Sequence, residues 1–171
     1  MQAPRLTPTS YIVLGLVELS GEATPYELKQ AAAGSVGNFW SMSHAQFYTE
    51  PERLAGAGLL SEEREDGGRR RKHYRITARG RRALKAWRED PTDELAELRD
   101  PGLLKLFFGA PRGPLALAQL AAHEGKLAEY VWIRDQDAGR DAAGPLATLE
   151  AGIAHEREWV RYWKRIAAGE G

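Results

Sequence analysis

A helix followed directly by a short hairpin with a basic tip is predicted between residues 43 and 77, and this order constrains the fold most. The helix ends at Gly58, and two strand-like runs follow it at 62–65 and 70–76. Asp66-Gly67-Gly68-Arg69 separates the runs, and its two glycines supply the positive φ that a tight hairpin turn requires. A helix and a hairpin in this order are typical of the second half of a winged helix-turn-helix.

Helix-capping signals place three helices before the hairpin and one after it. Thr7-Pro8 begins the first helix, and a capping box of Thr24 and Glu27 begins the second. A second capping box, Ser43 with Gln46, begins the third helix, and Thr77 caps a fourth at 78–88. Residues 1–90 are therefore predicted to form a complete winged helix-turn-helix domain.

The remainder of the chain is predicted to be entirely helical. Residues 91–100 are acidic and carry a proline, which indicates a linker to a second domain at 101–171. In that domain apolar residues recur three and four positions apart, from Leu117 to Val131 and again from Leu146 to Ala167. Two helices cannot cover such seams alone, so we expect a mostly α protein that forms a homodimer through its C-terminal helices.

The net charge of zero conceals a strongly basic segment. Eleven of the 24 lysines and arginines lie within 64–88, where the acids are Glu65 and Asp66 alone. A local density of cations on a hairpin favours a polyanionic partner, because salt screens more distant charges. The candidate wing contacts to double-stranded DNA are Arg69, Arg70, Arg71, Lys72 and Tyr74.

The third helix is the candidate recognition helix, since the major groove of DNA accepts one α-helix. Its periodicity turns Phe47, Pro51 and Leu54 inward, and Pro51 is expected to bend it. The outward residues predicted to contact DNA are Ser43, His44, Gln46, Tyr48 and Thr49, with Arg53 placed for a phosphate. Two alternatives stay open: Gln46 acts only as a cap, or Tyr48 packs in the core.

Other chemistry has little support in the sequence. There is no cysteine, and the four histidines lack metal-ligand spacing, so we expect neither a metal site nor a cofactor. No catalytic triad or phosphate-binding loop is present, which argues against an enzyme. The chain has no apolar run long enough to span a membrane and no secretory signal, so a cytoplasmic protein is expected.

Five tryptophans raise the question of a site for an aromatic effector. The candidate pocket places a flat hydrophobic molecule between Trp159 or Trp163 of the last helix and Trp40 of the first domain. The alternative is that these rings fill the dimer core, because aromatic residues are enriched in such interfaces.

Four stretches together resemble the PadR family of transcriptional regulators: LTPTSYIVLGLVELSGEATPYELKQ, SHAQFYTEPERLAGAGLL, GGRRRKHYRITARGRRAL and RDPGLLKLFF. The last extends the resemblance into a helical C-terminal domain of the virulence-activator type. The resemblance implies a dimer, usually a repressor, that binds a palindromic operator and is often released by a small molecule such as a phenolic acid. It also implies DNA contacts from Tyr48, the residues before it and the wing cations. Pro51 departs from the family pattern, which has an aliphatic residue there.

A second class of function remains open at this stage. A winged helix also serves as a protein-interaction module, in which the basic wing would bind an acidic partner without recognising a DNA sequence.

Overall fold

The computed structural model describes residues 5–65, 71–136 and 143–170. The chain forms two compact units, Met1–Glu94 and Leu95–Gly171. The division lies inside the segment 91–100, which contains neither helix nor strand. The predicted hairpin turn at 66–69 lies outside the described residues.

The first unit contains four helices and one β-hairpin. Helix α1 spans Pro8–Ser20, α2 spans Pro25–Ala33, α3 spans Gln46–Gly56 and α4 spans Ala78–Glu89, with a 3-10 turn at Val36–Asn38. Strands β1 (Leu60–Arg64) and β2 (Lys72–Ile76) are antiparallel, and Glu62 lies opposite Tyr74. This is the helix and strand order of a winged helix-turn-helix.

Local capping interactions begin these helices where the sequence predicts. The Thr24 amide donates to Glu27 Oε2 at 2.8 Å, and the Glu27 amide donates to Thr24 Oγ1 at 3.3 Å. The Thr77 hydroxyl accepts from the Gly80 amide at 3.0 Å. Each cap satisfies a backbone donor that the first helical turn leaves without a partner, which fixes the start of the helix.

The hairpin is joined to the connection between α1 and α2 through its second strand. Ala23 and Tyr74 exchange two backbone hydrogen bonds, of 3.1 and 2.9 Å, so Ala23 pairs with β2 on the side away from β1. Strand β2 is therefore held on both edges at this point. The pairing fixes the base of the wing against the helix-turn-helix.

One hydrophobic core fills the first unit. Its fully buried members come from α1, α2, α3, the hairpin and α4, and they include Val13, Leu14, Leu28, Leu54, Tyr74 and Leu84. Trp87 of α4 is 47% exposed and stacks on Tyr11 with 4.7 Å between ring centroids. The stack links α4 to α1 at the edge of the core.

Gly80 is required by a close approach between α4 and Leu59, the residue immediately before β1. A Cβ atom at this position would lie 2.2 Å from the Leu59 carbonyl oxygen. No side chain tolerates such a contact, so glycine allows α4 to begin directly against the hairpin.

Pro51 lies within α3, which continues past it from Gln46 to Gly56. Its ring is buried together with Phe47 and Leu54, as the sequence predicts. The loss of one backbone donor at Pro51 is thus accompanied by the burial of an apolar ring in the core.

The second unit is formed by three helices. Helix α5 spans Pro101–Phe107, α6 spans Arg112–Gln136 and α7 spans Ala143–Ala167. Trp163, Ala116 and Ile166 form the centre of a small core that includes side chains of α5. With the winged helix-turn-helix of the first unit, this confirms the predicted fold class, a mostly α protein with one two-stranded hairpin.

The face of α6 that is buried within the second unit lies beside the predicted apolar seam. Ala116 and Tyr130 are buried, whereas Leu117 of the seam is exposed. Neighbouring positions lie on adjacent stripes of a helix, so the packing within this unit uses the stripe next to the seam, and the expected contact of the seam with a second subunit stays a prediction. On α7, Ile153, Glu156 and Trp163 are buried.

A hydrogen-bonded acid–base pair lies between the two long helices. His123 Nδ1 of α6 is 2.6 Å from Glu156 Oε2 of α7, and Glu156 is buried. The pair satisfies a carboxylate that would otherwise be costly to bury. Across the described ranges, the helices are all too short or too polar to cross a membrane.

Arg53 connects α3 to the N-terminal end of α1. Its guanidinium donates to Glu50 Oε1 at 2.6 Å, to Ser10 Oγ at 2.9 Å and to the Arg5 carbonyl oxygen at 3.3 Å. Burial by itself would raise the pKa of Glu50, but hydrogen bonds from Arg53 and Ser10 hold that pKa below its usual value. Arg53 therefore neutralises a nearly buried carboxylate and ties two helices together.

Replacing Arg53 with alanine is expected to destabilise the first unit by about 1–3 kcal/mol, because Glu50 loses its charged partner. Urea denaturation followed by circular dichroism measures the change. The matched control is Arg64→Ala, since Arg64 is an exposed arginine whose pairing with Glu62 should contribute less than about 1 kcal/mol.

The same pair predicts a pH dependence. Because the pKa of Glu50 is lowered in the folded state, its stabilisation is present above the ordinary carboxyl pKa and is lost as pH falls through the folded value. The difference between wild type and Arg53→Ala should therefore shrink below about pH 4. Equal destabilisation by Arg53→Ala and Arg64→Ala at neutral pH would contradict this structural role.

Candidate nucleic-acid interface

The start of α3 presents its outward residues to solvent. Ser43, His44, Tyr48 and Thr49 are exposed, whereas Phe47 of the same turns is buried. The His44 and Tyr48 rings lie 5.1 Å apart, so they form one contiguous aromatic surface. Tyr48 therefore lies at the surface, which excludes the alternative that it packs in the core.

Gln46 acts as a helix cap in this structure. The Gln46 side-chain Oε1 accepts a hydrogen bond from the Ser43 backbone amide at 2.7 Å, and the Gln46 backbone amide donates to Ser43 Oγ at 3.4 Å. The Oε1 atom is thus occupied by the reciprocal capping interaction. A base contact from Gln46 therefore remains a prediction, and it would use the side-chain nitrogen or require the cap to open.

Arg53 does not extend freely toward solvent. Its guanidinium contacts Glu50, Ser10 and the Arg5 backbone, as described above. A contact between Arg53 and a phosphate would compete with these interactions, so the structure favours a role in fixing α3 against α1.

Two of the four predicted wing cations fall within the described residues. Arg71 is exposed, and Lys72 forms ion pairs with Glu52 of α3 and, at 3.5 Å, with Glu62 of β1. The hydrogen bond to Glu52 raises the pKa of Lys72, so this side chain is charged at neutral pH. Arg69 and Arg70 lie outside the described residues, and their DNA contacts stay a prediction.

Tyr74 is a core residue, which corrects its assignment as a wing contact. Its side chain is fully buried, and its hydroxyl donates to Glu62 Oε2 at 3.2 Å. Burial and the nearby Glu62 carboxylate raise the pKa of the Tyr74 phenol. The alternation along β2 turns Tyr74 and Ile76 inward together and leaves His73 and Arg75 at the surface.

A surface cleft of about 700 Å³ brings the wing, α3 and the start of α2 together. We call it the wing cleft, and its lining is Thr24, Pro25, Tyr26, Glu27, Tyr48, Arg71 and Lys72. Two cationic side chains and two tyrosine hydroxyls line this cleft, and both types of group bind the phosphates of a nucleic-acid backbone. Among the described residues that line the cleft, Glu27 is the negatively charged one, and it would repel a phosphate. The hydrogen bonds from Thr24 lower the pKa of Glu27, so its carboxylate is ionised.

Tyr26 was not among the residues predicted from sequence to contact DNA. It is 61% exposed, and its hydroxyl accepts a hydrogen bond from Gln30 at 2.8 Å. The capping box at Thr24 could have indicated this role for Tyr26. It places Tyr26 in the first turn of a helix, where helix-turn-helix proteins approach the DNA backbone.

The tryptophans proposed for an effector pocket have unequal access. Trp163 is fully buried, so its ring has no free face, and this removes it as an effector-stacking residue in the described conformation. Trp159 stacks on both His123 and Trp163, with centroid separations of 5.7 and 6.5 Å. Trp40, in the first unit, is 45% exposed.

Among the residues that the structure describes, no group of three or more His, Asp and Glu side chains is arranged so that it could hold a metal ion. Lys72 is paired with Glu52 and Glu62, and Arg53 is paired with Glu50.

Two protein families match the chain in succession. Residues 13–86 match the Transcriptional regulator PadR-like family, and residues 98–168 match the Virulence activator alpha C-term family. Among curated proteins, the negative transcriptional regulator PadR of Bacillus subtilis (strain 168) is 30% identical over 102 residues, which is 57% of this chain. That match spans about half of the relative's length, at 54%.

Solved structures show the same fold over nearly the whole chain. Bacillus subtilis PadR in complex with operator DNA has a TM-score of 0.84 at 23% identity, covering 98% of this chain and 100% of that one. The same protein in complex with p-coumaric acid has a TM-score of 0.77 at 22% identity, covering 97% and 98%. The Vibrio cholerae virulence activator AphA has a TM-score of 0.68 at 24% identity, covering 94% and 96%.

The order of the two matches along the chain is that of the winged helix-turn-helix and the helical unit, and it confirms the resemblance seen in the sequence. The chain joins a domain of the Transcriptional regulator PadR-like family, at residues 13–86, to a domain of the Virulence activator alpha C-term family, at residues 98–168.

Proposed function

We propose that this protein is a homodimeric transcriptional repressor that binds a palindromic DNA operator through α3 and the wing cleft. The observation that carries the proposal is the convergence of Tyr26, Tyr48, Arg71 and Lys72 around one cleft beside the exposed start of α3. Bacillus subtilis PadR, which has the same fold, has been solved with operator DNA.

Sequence recognition is assigned to the first turns of α3. His44, Tyr48 and Thr49 are exposed there, and side chains at the start of a recognition helix meet base edges in the major groove. The Thr49 hydroxyl donates to the Ala45 carbonyl oxygen at 3.1 Å, which leaves its methyl group free to meet a thymine methyl.

Affinity for the DNA backbone is assigned to the wing cleft. Arg71 is an exposed guanidinium immediately before β2, and the Tyr26 phenol can donate to a phosphate oxygen. Lys72 must exchange its carboxylate partners for phosphate, so we expect Arg71 to make the larger contribution.

Replacing Arg71 with alanine should weaken binding to operator and random DNA by similar factors and reduce the salt slope by about one. Fluorescence anisotropy with duplexes of about 20 base pairs, between about 50 and 200 mM salt, measures both quantities. The matched control is Arg82→Ala, since Arg82 is an exposed arginine of α4 outside the wing cleft.

Replacing Tyr48 should instead reduce the preference for operator over random DNA. If wild-type protein binds neither duplex at low salt, the DNA-binding proposal fails and the protein-interaction module becomes the better reading. If Arg71→Ala and Arg82→Ala weaken binding equally, the wing cleft has no special part in it.

Dimerisation is assigned to the second unit, which leaves large apolar side chains uncovered. Phe107 and Phe108 of the α5 end are 83% and 77% exposed, and Leu117 of α6 is also exposed. A further apolar cleft of about 580 Å³ is lined by Leu98, Pro101, Leu104 and Phe107 among others. Apolar surface of this extent on a single chain is typical of an interface between subunits.

Sedimentation equilibrium should show a dimer for the wild-type chain, and Phe107→Glu or Leu117→Glu should shift it toward monomer by burying a charge in the interface. Leu19→Glu is the matched control, because Leu19 is equally exposed but belongs to α1 of the first unit. A monomeric wild type at about 10 μM would contradict the proposed dimer.

A small aromatic effector is the third part of the proposal. Bacillus subtilis PadR has been solved with p-coumaric acid. In this chain Trp40 and Trp159 retain accessible ring surface, whereas Trp163 does not.

Titration with phenolic acids and planar cationic drugs should quench tryptophan emission, and Trp40→Phe or Trp159→Phe should remove part of that response. Trp87→Phe serves as the control, because Trp87 is comparably exposed but stacks on Tyr11. Absence of quenching by every compound would argue against an effector of this class.

A further inference from the structure

The His73 side chain of β2 lies between two carboxylates that come from different parts of the first unit. His73 Nδ1 is 2.8 Å from Glu22 Oε1, in the connection between α1 and α2. His73 Nε2 is 3.0 Å from Glu65 Oε1, immediately after β1. We call this arrangement the histidine clamp.

The geometry of the clamp favours the charged form of His73. A neutral imidazole carries one N–H and one lone pair, so it can donate to one carboxylate only. Both ring nitrogens are at hydrogen-bonding distance from carboxylate oxygens, and an imidazolium, with two N–H groups, can donate to both of them. Loss of one proton would place a lone pair against a carboxylate and break one contact.

Other charges surround the clamp. Arg75, on the same face of β2, pairs with Glu22 and with Glu63, and Glu63 lies opposite His73 in the hairpin register. Arg71 lies two residues before His73, immediately before β2. The Glu27 carboxylate of α2 also interacts electrostatically with His73, and this interaction contributes to the lowered pKa of Glu27.

We propose that His73 is a positioning residue for DNA binding, which as an imidazolium ties the end of β1 to the α1–α2 connection and so orients the wing. The inference rests on the proposed function. Glu65 directly precedes the tip of the hairpin, and Glu22 directly precedes Ala23, which pairs with β2. The clamp therefore joins the outer part of the wing to the same connection that holds its base.

The sign of the pH effect follows from the contacts. The hydrogen bond with Glu65, followed by the charges of Glu22 and Glu65, raises the pKa of His73 above its ordinary value despite partial desolvation. The complete clamp is thus present below the ordinary histidine pKa of about 6.5 and is lost as pH rises through the higher folded value. DNA affinity should fall over the same neutral to mildly alkaline range.

The protonation state is tested directly by long-range 1H–15N NMR of the full-length chain, with His73 assigned from the spectrum of His73→Gln. The titration midpoint of His73 should lie above the ordinary histidine value of about 6.5, with both ring nitrogens protonated below it, and Glu65→Gln should lower that midpoint. Glu63→Gln is the matched control, because it removes a neighbouring carboxylate that makes no hydrogen bond to His73 and should leave the midpoint nearly unchanged. A midpoint at or below the ordinary value, or no response to Glu65→Gln, overturns the clamp.

The positioning role is tested by anisotropy with a duplex selected by the protein from random DNA. Between about pH 6 and pH 8.5, wild-type affinity should fall severalfold as the imidazolium loses its proton. His73→Gln should bind weakly with a flatter profile. His73→Arg keeps a permanent cation with several donors, so it should restore affinity and remove most of the pH dependence.

The two proposals fail in different ways. If the wild-type chain binds DNA but its pH profile matches that of His73→Gln, the positioning role is overturned while DNA binding stands. If the wild-type chain binds no DNA at any pH, the proposed function fails, and the positioning role fails with it.

Discussion

The backbone pairing between Ala23 and Tyr74 is the contact on which the rest of the first unit depends. It attaches the second strand of the hairpin to the connection between α1 and α2, at the point where the Tyr74 ring enters the core. Because the two ends of this attachment belong to the wing and to the helix-turn-helix, their surface residues acquire fixed relative positions. The wing cleft, with Tyr26 on one side and Arg71 on the other, is a consequence of that attachment.

The sequence predicted the elements of this fold well where the determining interactions are local. Capping boxes at Thr24 and Ser43 join residues three positions apart, so their pattern is visible in the chain and is confirmed in the structure. The sequence predicted fewer of the contacts between residues that are far apart along the chain. Glu22 and His73 are far apart in the sequence, and the Ala23–Tyr74 pairing brings them together. No periodic pattern in the sequence predicts this contact. Tyr74 was predicted to contact DNA at the surface. Its alternation with Ile76 along β2 is the pattern that would have predicted burial, because alternate residues of a strand lie on the same face.

In the second unit too, the helices were predicted from the sequence, whereas the way they pack was not. Heptad-like spacing predicted two long helices, and the structure confirms them. Within the unit, α6 buries Ala116 and Tyr130, which lie beside the seam that is predicted to meet a second subunit. The His123–Glu156 pair belongs to this packing, because a buried carboxylate must lie opposite its partner. Buried polar pairs of this kind do little for stability but penalise any other register of two helices. The identity of the pair across α6 and α7 could not be read from one sequence, since it depends on their relative rotation.

The ion pair between Lys72 and Glu52 has a consequence for how this surface selects DNA. Glu52 is a competitor for the lysine that is covalently part of the same protein, so its effective concentration at the ammonium is on the order of millimolar or higher. In the proposed complex with DNA, a phosphate would have to displace this tethered carboxylate before Lys72 contributed to binding, so part of the free energy of the new contact would be spent on breaking the old one. The acid beside the wing would therefore weaken the backbone contact of Lys72 on any DNA sequence, and stable binding would depend more on the contacts made by α3.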